Sequence, residues 1–129
     1  MTLKQLSQLY HLRREIKMYE EQIEKLQSVA ESTTQNITGM PLSKNVSDKV
    51  GQIAADIADY KVLIEYDTNR CKKELDKLQS YIRGVDDSLT RQILTLRFVN
   101  GYSWSKVADA TGSSEYAVKQ ICYRYIKKH

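Results

Sequence analysis

The chain is expected to be all-α, and three observations carry that expectation. Its 129 residues include one Pro and five Gly, with 28% charged side chains, a composition that leaves long helices uninterrupted. Up to about residue 84, apolar residues recur at heptad spacing. Beyond it the pattern shortens into three amphipathic segments separated by two turn signals, Asn100-Gly101 and Thr111-Gly112. The expected architecture is an N-terminal long helical hairpin, coiled-coil-like, over residues 1–84, then a three-helix helix-turn-helix domain over residues 85–129.

The first long helix is expected over about residues 2–31. Leu9, Ile16 and Ile23 recur at seven, and Leu12, Tyr19 and Leu26 follow three positions behind. Glu21 and Lys25 stand at the favourable i,i+4 spacing on its flank. The second is expected over 47–83, with Val50, Ile57, Ile64, Cys71 and Leu78 in one row. Its companion row begins as Ile53 and Tyr60 and shifts to Leu75 and Ile82 after the polar pair Asp67 and Thr68, a drift of the apolar stripe around the helix. Ser47 or Asp48 is the expected cap at its start and Gly84 its end. The connection, 32–46, holds the only Pro and three apolar residues, Ile37, Met40 and Leu42, which would dock part of it.

Two interpretations of this seam remain open from the residues alone. It is the inner surface of an intramolecular hairpin, or Leu9, Ile16, Ile23, Val50, Ile57 and Ile64 form a homodimerisation seam. Nine tyrosines against one Phe and one Trp suit either, because a tyrosine can bury its ring in a thin assembly and keep its hydroxyl wet.

In the C-terminal third, the segment ending in RQILTLRFV places Leu89, Ile93 and Leu96 on one helical face, widened by Phe98 and Val99. Ser103 caps the next segment ahead of Trp104, Val107 and Ala108, with Trp104 expected as a core anchor. Ser114 caps the last. That segment turns Val118, Ile121, Cys122 and Tyr125 inward and Tyr116, Lys119, Gln120, Tyr123 and Arg124 outward. A scaffold helix followed by a helix with a polar, basic outer face is how a DNA major groove is met. The plainer alternative is the end of a three-helix bundle with a solvated basic face. Residues 86–129 hold seven Lys/Arg against four Asp/Glu, and residues 1–85 thirteen against twelve, so most of the net +4 falls on the segment that would meet phosphates.

Other chemistries find little footing. His11 is the only internal histidine and sits among charged helix positions, and Asp86-Asp87 precedes an apolar run as a helix cap would. The glycines are dispersed, with no phosphate-cradling loop, and Cys71 and Cys122 stand apart from any second thiol or histidine at ligand spacing. Neither an enzyme, a cofactor nor a metal is expected. No run reaches membrane-spanning length and the charged N-terminus does not read as a signal peptide, so a cytoplasmic protein is expected.

The C-terminal stretch resembles region 4 of bacterial sigma-70 factors. The shared residues are Arg91, Ile93-Leu94, Leu96-Arg97-Phe98, Asn100-Gly101-Tyr102-Ser103, Val107-Ala108, Gly112, Ser114 and Val118-Lys119-Gln120-Ile121. In that family the helix starting at the position of Ser114 enters the major groove of a promoter. The resemblance implies base reading by Glu115, Tyr116, Lys119 and Gln120, where Glu115 and Tyr116 differ from the Arg-Glu pair of primary sigma factors. The whole chain, with TQNITGMP and SDKVG in its connection, is similar to a family of small phage and prophage proteins of Gram-positive bacteria. These are akin to late transcription regulators of the ArpU and RinA type. Nothing in the chain resembles the promoter-melting segment of a complete sigma factor.

The implied function is sequence-specific, double-stranded DNA binding in transcription control within a bacterial host cell, beside host RNA polymerase. Ser103, Lys106, Ser114, Tyr123, Arg124, Lys127 and Lys128 are the expected DNA-backbone contacts. A DNA-recognition subunit of a phage packaging machine, of small-terminase kind, is the alternative. A further one is a protein that uses the same fold to grip RNA polymerase or a sigma factor without binding DNA.

Overall fold

The computed structural model describes residues 1–35 and 44–129, with side chains over 1–32 and 48–129. All its regular elements are helical, and among the described residues there is no strand. The apolar residues expected to dock the connection, Ile37, Met40 and Leu42, lie outside the described residues.

The first expected helix is two. α1 (Leu3–Leu6) opens on a reciprocal cap: the Gln5 N–H donates to the Thr2 hydroxyl at 3.2 Å, and the Thr2 N–H donates to Gln5 Oε1 at 2.9 Å. Ser7 interrupts the run, and α2 (Gln8–Gln35) continues it. α3 (Lys44–Arg83) starts earlier than expected, so Ser47 and Asp48 lie inside it and do not cap it. Its end is at the expected glycine, where the Gly84 and Val85 N–H groups donate back to the Tyr81 and Ile82 carbonyls and tighten the last turn.

α4 (Ser88–Leu94) is capped by Asp87, whose carboxylate accepts from the Thr90 N–H at 3.0 Å and the Thr90 hydroxyl at 2.7 Å. Those two bonds hold the Asp87 carboxyl below its usual pKa, with Arg91 adding to the effect. Arg91 itself fixes the preceding turn, donating to the carbonyls of Val85 and Asp86 at 2.7 and 3.0 Å.

A π-helical turn, Thr95–Val99, continues α4, and the buried stripe differs from the expected one. Leu89 and Leu96 are only half-buried, while Ile93, Leu94 and Phe98 are buried. Leu94 and Phe98, four residues apart, share one face with Ile93 beside them, so the buried stripe is centred on Leu94 and not on the row Leu89, Ile93 and Leu96.

α5 (Trp104–Thr111) and α6 (Glu115–Lys128) complete the chain. In α6, Val118 and Cys122 are fully buried; Ile121 and Tyr125, expected beside them, are half-buried.

The chain divides into two compact units, and the division does not follow the expected boundary at 84/85. The first unit is Met1–Arg13 with Arg70–His129, and the second is Arg14–Asn69. The core of the first unit joins Leu6 and Leu9 from the N-terminus and Leu78 and Ile82 from α3 to Val85, Ile93, Leu94, Phe98, Val107, Ala108, Val118 and Cys122. Arg13 adds a polar tie, donating from its guanidinium to the carbonyl of Val99. Leu9, expected on a dimer seam, is 1% exposed within this core.

In the second unit, α2 and α3 pair through the remaining seam. The rings of Tyr19 and Tyr60 meet at 5.7 Å between centroids. Ile53 is buried, and Ile16, Ile23, Leu26, Val50, Ile57 and Ile64 are each half-buried within the single chain. Burial, with Glu15, Asp67 and Tyr60 nearby, raises the pKa of the Tyr19 phenol. Asp67, read as the polar break in the stripe, is itself buried.

Two outcomes follow from this packing. Leu9→Ala should cost roughly 2–5 kcal/mol, read as a lower denaturant midpoint for Trp104 fluorescence. Trp104 lies far from Leu9 in sequence but in the same unit, and an unchanged Trp104 transition would place Leu9 outside that core. For Asp87 the folded pKa lies below the unfolded one, so its contribution is complete at neutral pH and fades as pH falls through the folded value. Asp87→Ala should therefore lower the thermal midpoint at pH 7 and lose that difference from wild type in strong acid.

Candidate nucleic-acid interface

The side chains of interest are placed by α5, a short turn and α6. The Ser103 hydroxyl accepts from the Lys106 N–H at 3.2 Å and starts α5. Gly112 ends it at φ 70°, ψ 22°, a left-handed conformation that glycine adopts without a Cβ penalty, and its N–H donates to the Ala108 carbonyl. Ser114 then starts α6, accepting from the Ala117 N–H at 3.1 Å. Both serines are exposed, so each hydroxyl keeps its proton available for an outside acceptor while its oxygen caps the helix.

Val118 and Cys122 anchor α6 to the core and leave its outer face open. Tyr116 is 73% exposed, and Glu115, Tyr123, Arg124, Lys127 and Lys128 are also exposed. Lys119 and Gln120 are half-buried. Lys119 is not a bare cation, because its ammonium lies 3.3 Å from the Glu115 carboxylate one turn earlier. That pair is solvent-exposed and on the order of 0.5 kcal/mol, weak enough to exchange for another partner. At the α5 side, the Lys106 ammonium sits over the Tyr102 ring at 3.9 Å from its centroid.

Trp104, expected as a core anchor, packs against the core without being fully buried. It is half-buried, with the Arg97 guanidinium over its ring at 4.7 Å and Tyr123 edge-on at 5.9 Å. Arg97 also donates to the Tyr102 carbonyl at 2.9 Å. Arg97, Trp104 and Tyr123 thus form a stacked layer that fixes where Tyr123 stands on the outer face of α6. Spacing along one helix carries no information about a cation stacking on a ring in another, so the role of Arg97 is not legible in the sequence.

Cys122 is buried, and burial pushes its thiol up to about 11, so it is a core filler with little thiolate at neutral pH. Cys71 is half-buried. Among the described residues no group of His, Cys, Asp and Glu could hold a metal ion, and no helix is long and apolar enough to cross a membrane.

Charge separates far more sharply by unit than by position along the chain. The first unit holds fourteen Lys/Arg against six Asp/Glu, a net +8. The second holds six against ten, a net −4. The linear count misses this because Lys4, Arg13, Arg70, Lys72, Lys73, Lys77 and Arg83 join the C-terminal residues only through the fold. The chain matches no protein-family model, no curated protein and no solved structure.

Proposed function

We propose that this protein is a sequence-specific, double-stranded-DNA-binding regulator of transcription, of phage or prophage kind, that lays α6 in the major groove. The observation that carries the reading is the outer face of α6. Tyr116, Lys119, Gln120 and Glu115 stand on its first turns, and Arg124, Lys127 and Lys128 follow, all in the unit of net charge +8. Lys119 and Gln120 have the donor and acceptor chemistry for guanine and adenine edges, and Glu115 can accept from cytosine. Tyr116 offers a flat ring to thymine methyls. Ser103 and Ser114 at helix starts, with Lys106, Tyr123 and the terminal cations, suit phosphate oxygens on either side of the groove.

Glu115 has a second effect in this reading. It holds Lys119 in the free protein, so Lys119 must leave that carboxylate to reach a base. Glu115→Ala should therefore raise affinity for random DNA while lowering discrimination between sequences.

Selection from a random DNA library with the purified protein tests the reading, and a failure to enrich any sequence would defeat it. On the enriched site, Lys119→Ala and Gln120→Ala should each cost about 1–3 kcal/mol and far less on random DNA. Lys127→Ala or Lys128→Ala should weaken all sequences alike and reduce the salt slope by about one. Equal losses on cognate and random DNA for Lys119 and Gln120 would move those residues from bases to phosphates.

A further inference from the structure

Arg97 reaches two separate parts of the candidate interface. It is half-buried on the π-helical turn, and among the described residues no carboxylate pairs with it. Its partners are instead a ring and a carbonyl. The guanidinium lies over Trp104 at 4.7 Å from the centroid, and one of its N–H groups donates to the Tyr102 carbonyl at 2.9 Å. A planar guanidinium can do both, stacking by its face and donating in its plane; a lysine ammonium cannot.

Each partner leads on to a different exposed side chain. Trp104, at the start of α5, meets the ring of Tyr123 on α6 edge-on, at 5.9 Å and an interplanar angle of 63°. Tyr102 carries the Lys106 ammonium over its ring, at 3.9 Å from the centroid. Tyr102 is itself pinned on both sides. Its N–H donates to the Leu96 carbonyl at 3.0 Å, and its own carbonyl accepts from Arg97. Gly101, at φ 73°, makes the turn that brings Tyr102 back to these two residues. Tyr123 and Lys106 are exposed and stand on different helices. On an open helix surface a tyrosine samples several rotamers and a lysine many more. Here both are narrowed by contacts that lead back to one guanidinium.

We infer, on the strength of the DNA-binding reading, that Arg97 is a positioning residue for two phosphate contacts at once. It sets Tyr123 through the Trp104 ring and Lys106 through Tyr102. A side chain already held near its bound position loses less freedom when it meets a phosphate oxygen, so the brace acts on affinity for any sequence. Arg97 itself makes no contact with DNA, because its face is against the indole and one of its donors is held by a carbonyl.

Binding of the full chain to a random-sequence duplex, followed by fluorescence anisotropy across a salt series, is the test. Random DNA keeps it apart from the library selection: a chain that enriches no sequence but binds this duplex loses the sequence-specific reading and not the brace. In the wild-type background Tyr123→Phe should weaken binding about fivefold, as loss of one hydrogen bond does. Lys106→Ala should reduce the salt slope by about one. In an Arg97→Lys background, which keeps the charge, both effects should shrink by about half. Lys127→Ala, outside the braced layer, should have the same effect in both backgrounds, which a general loosening of the fold would not allow. Trp104→Phe keeps a ring against the core and supplies a second comparison should Arg97→Lys not fold: the Tyr123 effect should shrink and the Lys106 effect remain. A Tyr123 effect undiminished in these backgrounds would overturn the inference. So would a Lys127 effect that shrinks with it, or a wild-type chain that does not bind the duplex.

Discussion

The structure depends on one shared core. The C-terminal segments from α4 to α6 are too short to bury enough apolar surface by themselves, since the fraction of surface buried falls with chain size. Leu6, Leu9, Leu78 and Ile82, drawn from the N-terminus and the end of α3, complete the layer around Ile93, Leu94, Val107, Val118 and Cys122. With Arg13 tied to the Val99 carbonyl, the opening residues belong physically to the unit that carries α6. A fragment cut at residue 84 would lose four of the twelve core side chains.

The same association produces the charge pattern. Bringing the ends of the long helices onto α4–α6 collects Lys4, Arg13, Arg70 and their neighbours with Arg124 and the terminal lysines, and leaves the acids of the two-helix unit apart. A modest overall +4 thus becomes a strongly basic unit and an acidic one. Such a division favours polyanion contact at one surface and discourages it at the other, a directing effect that falls as salt rises.

Within the basic unit, position is set by packing and chemistry by exposure. Val118 and Cys122 fix the rotation of α6, and Ile93, Leu94 and Phe98 form the apolar base on which α6 sits. Arg97 on Trp104 and Trp104 against Tyr123 then carry that order to the outer face. In the two-helix unit the logic is reversed: the seam is thin, its isoleucines are half-covered, and its large exposed apolar side chains, Met18, Val62 and Tyr66, stand outside the heptad rows.

The sequence by itself determined the all-α class, because the scarcity of Pro and Gly and the helical periods are local properties that tertiary contacts had no reason to override. It also determined the caps at Ser103 and Ser114 and the glycine ends at 84 and 112, each set by neighbours three or four residues away. Leu9 and Leu89 mark where it stopped. Leu9 has the same heptad signature whether it faces another subunit, a second helix or the core of another segment, and only the fold chose the last. Leu89 and Leu96 lost their expected place at the centre of the buried stripe to Leu94 and Phe98, because the rotation of the helix against the core is chosen by its tertiary partners and not by its spacing. The break at Ser7, the stacking of Arg97 on Trp104 and the division of charge between units were likewise decided by tertiary structure, because each joins residues whose distance in space is unrelated to their distance along the chain.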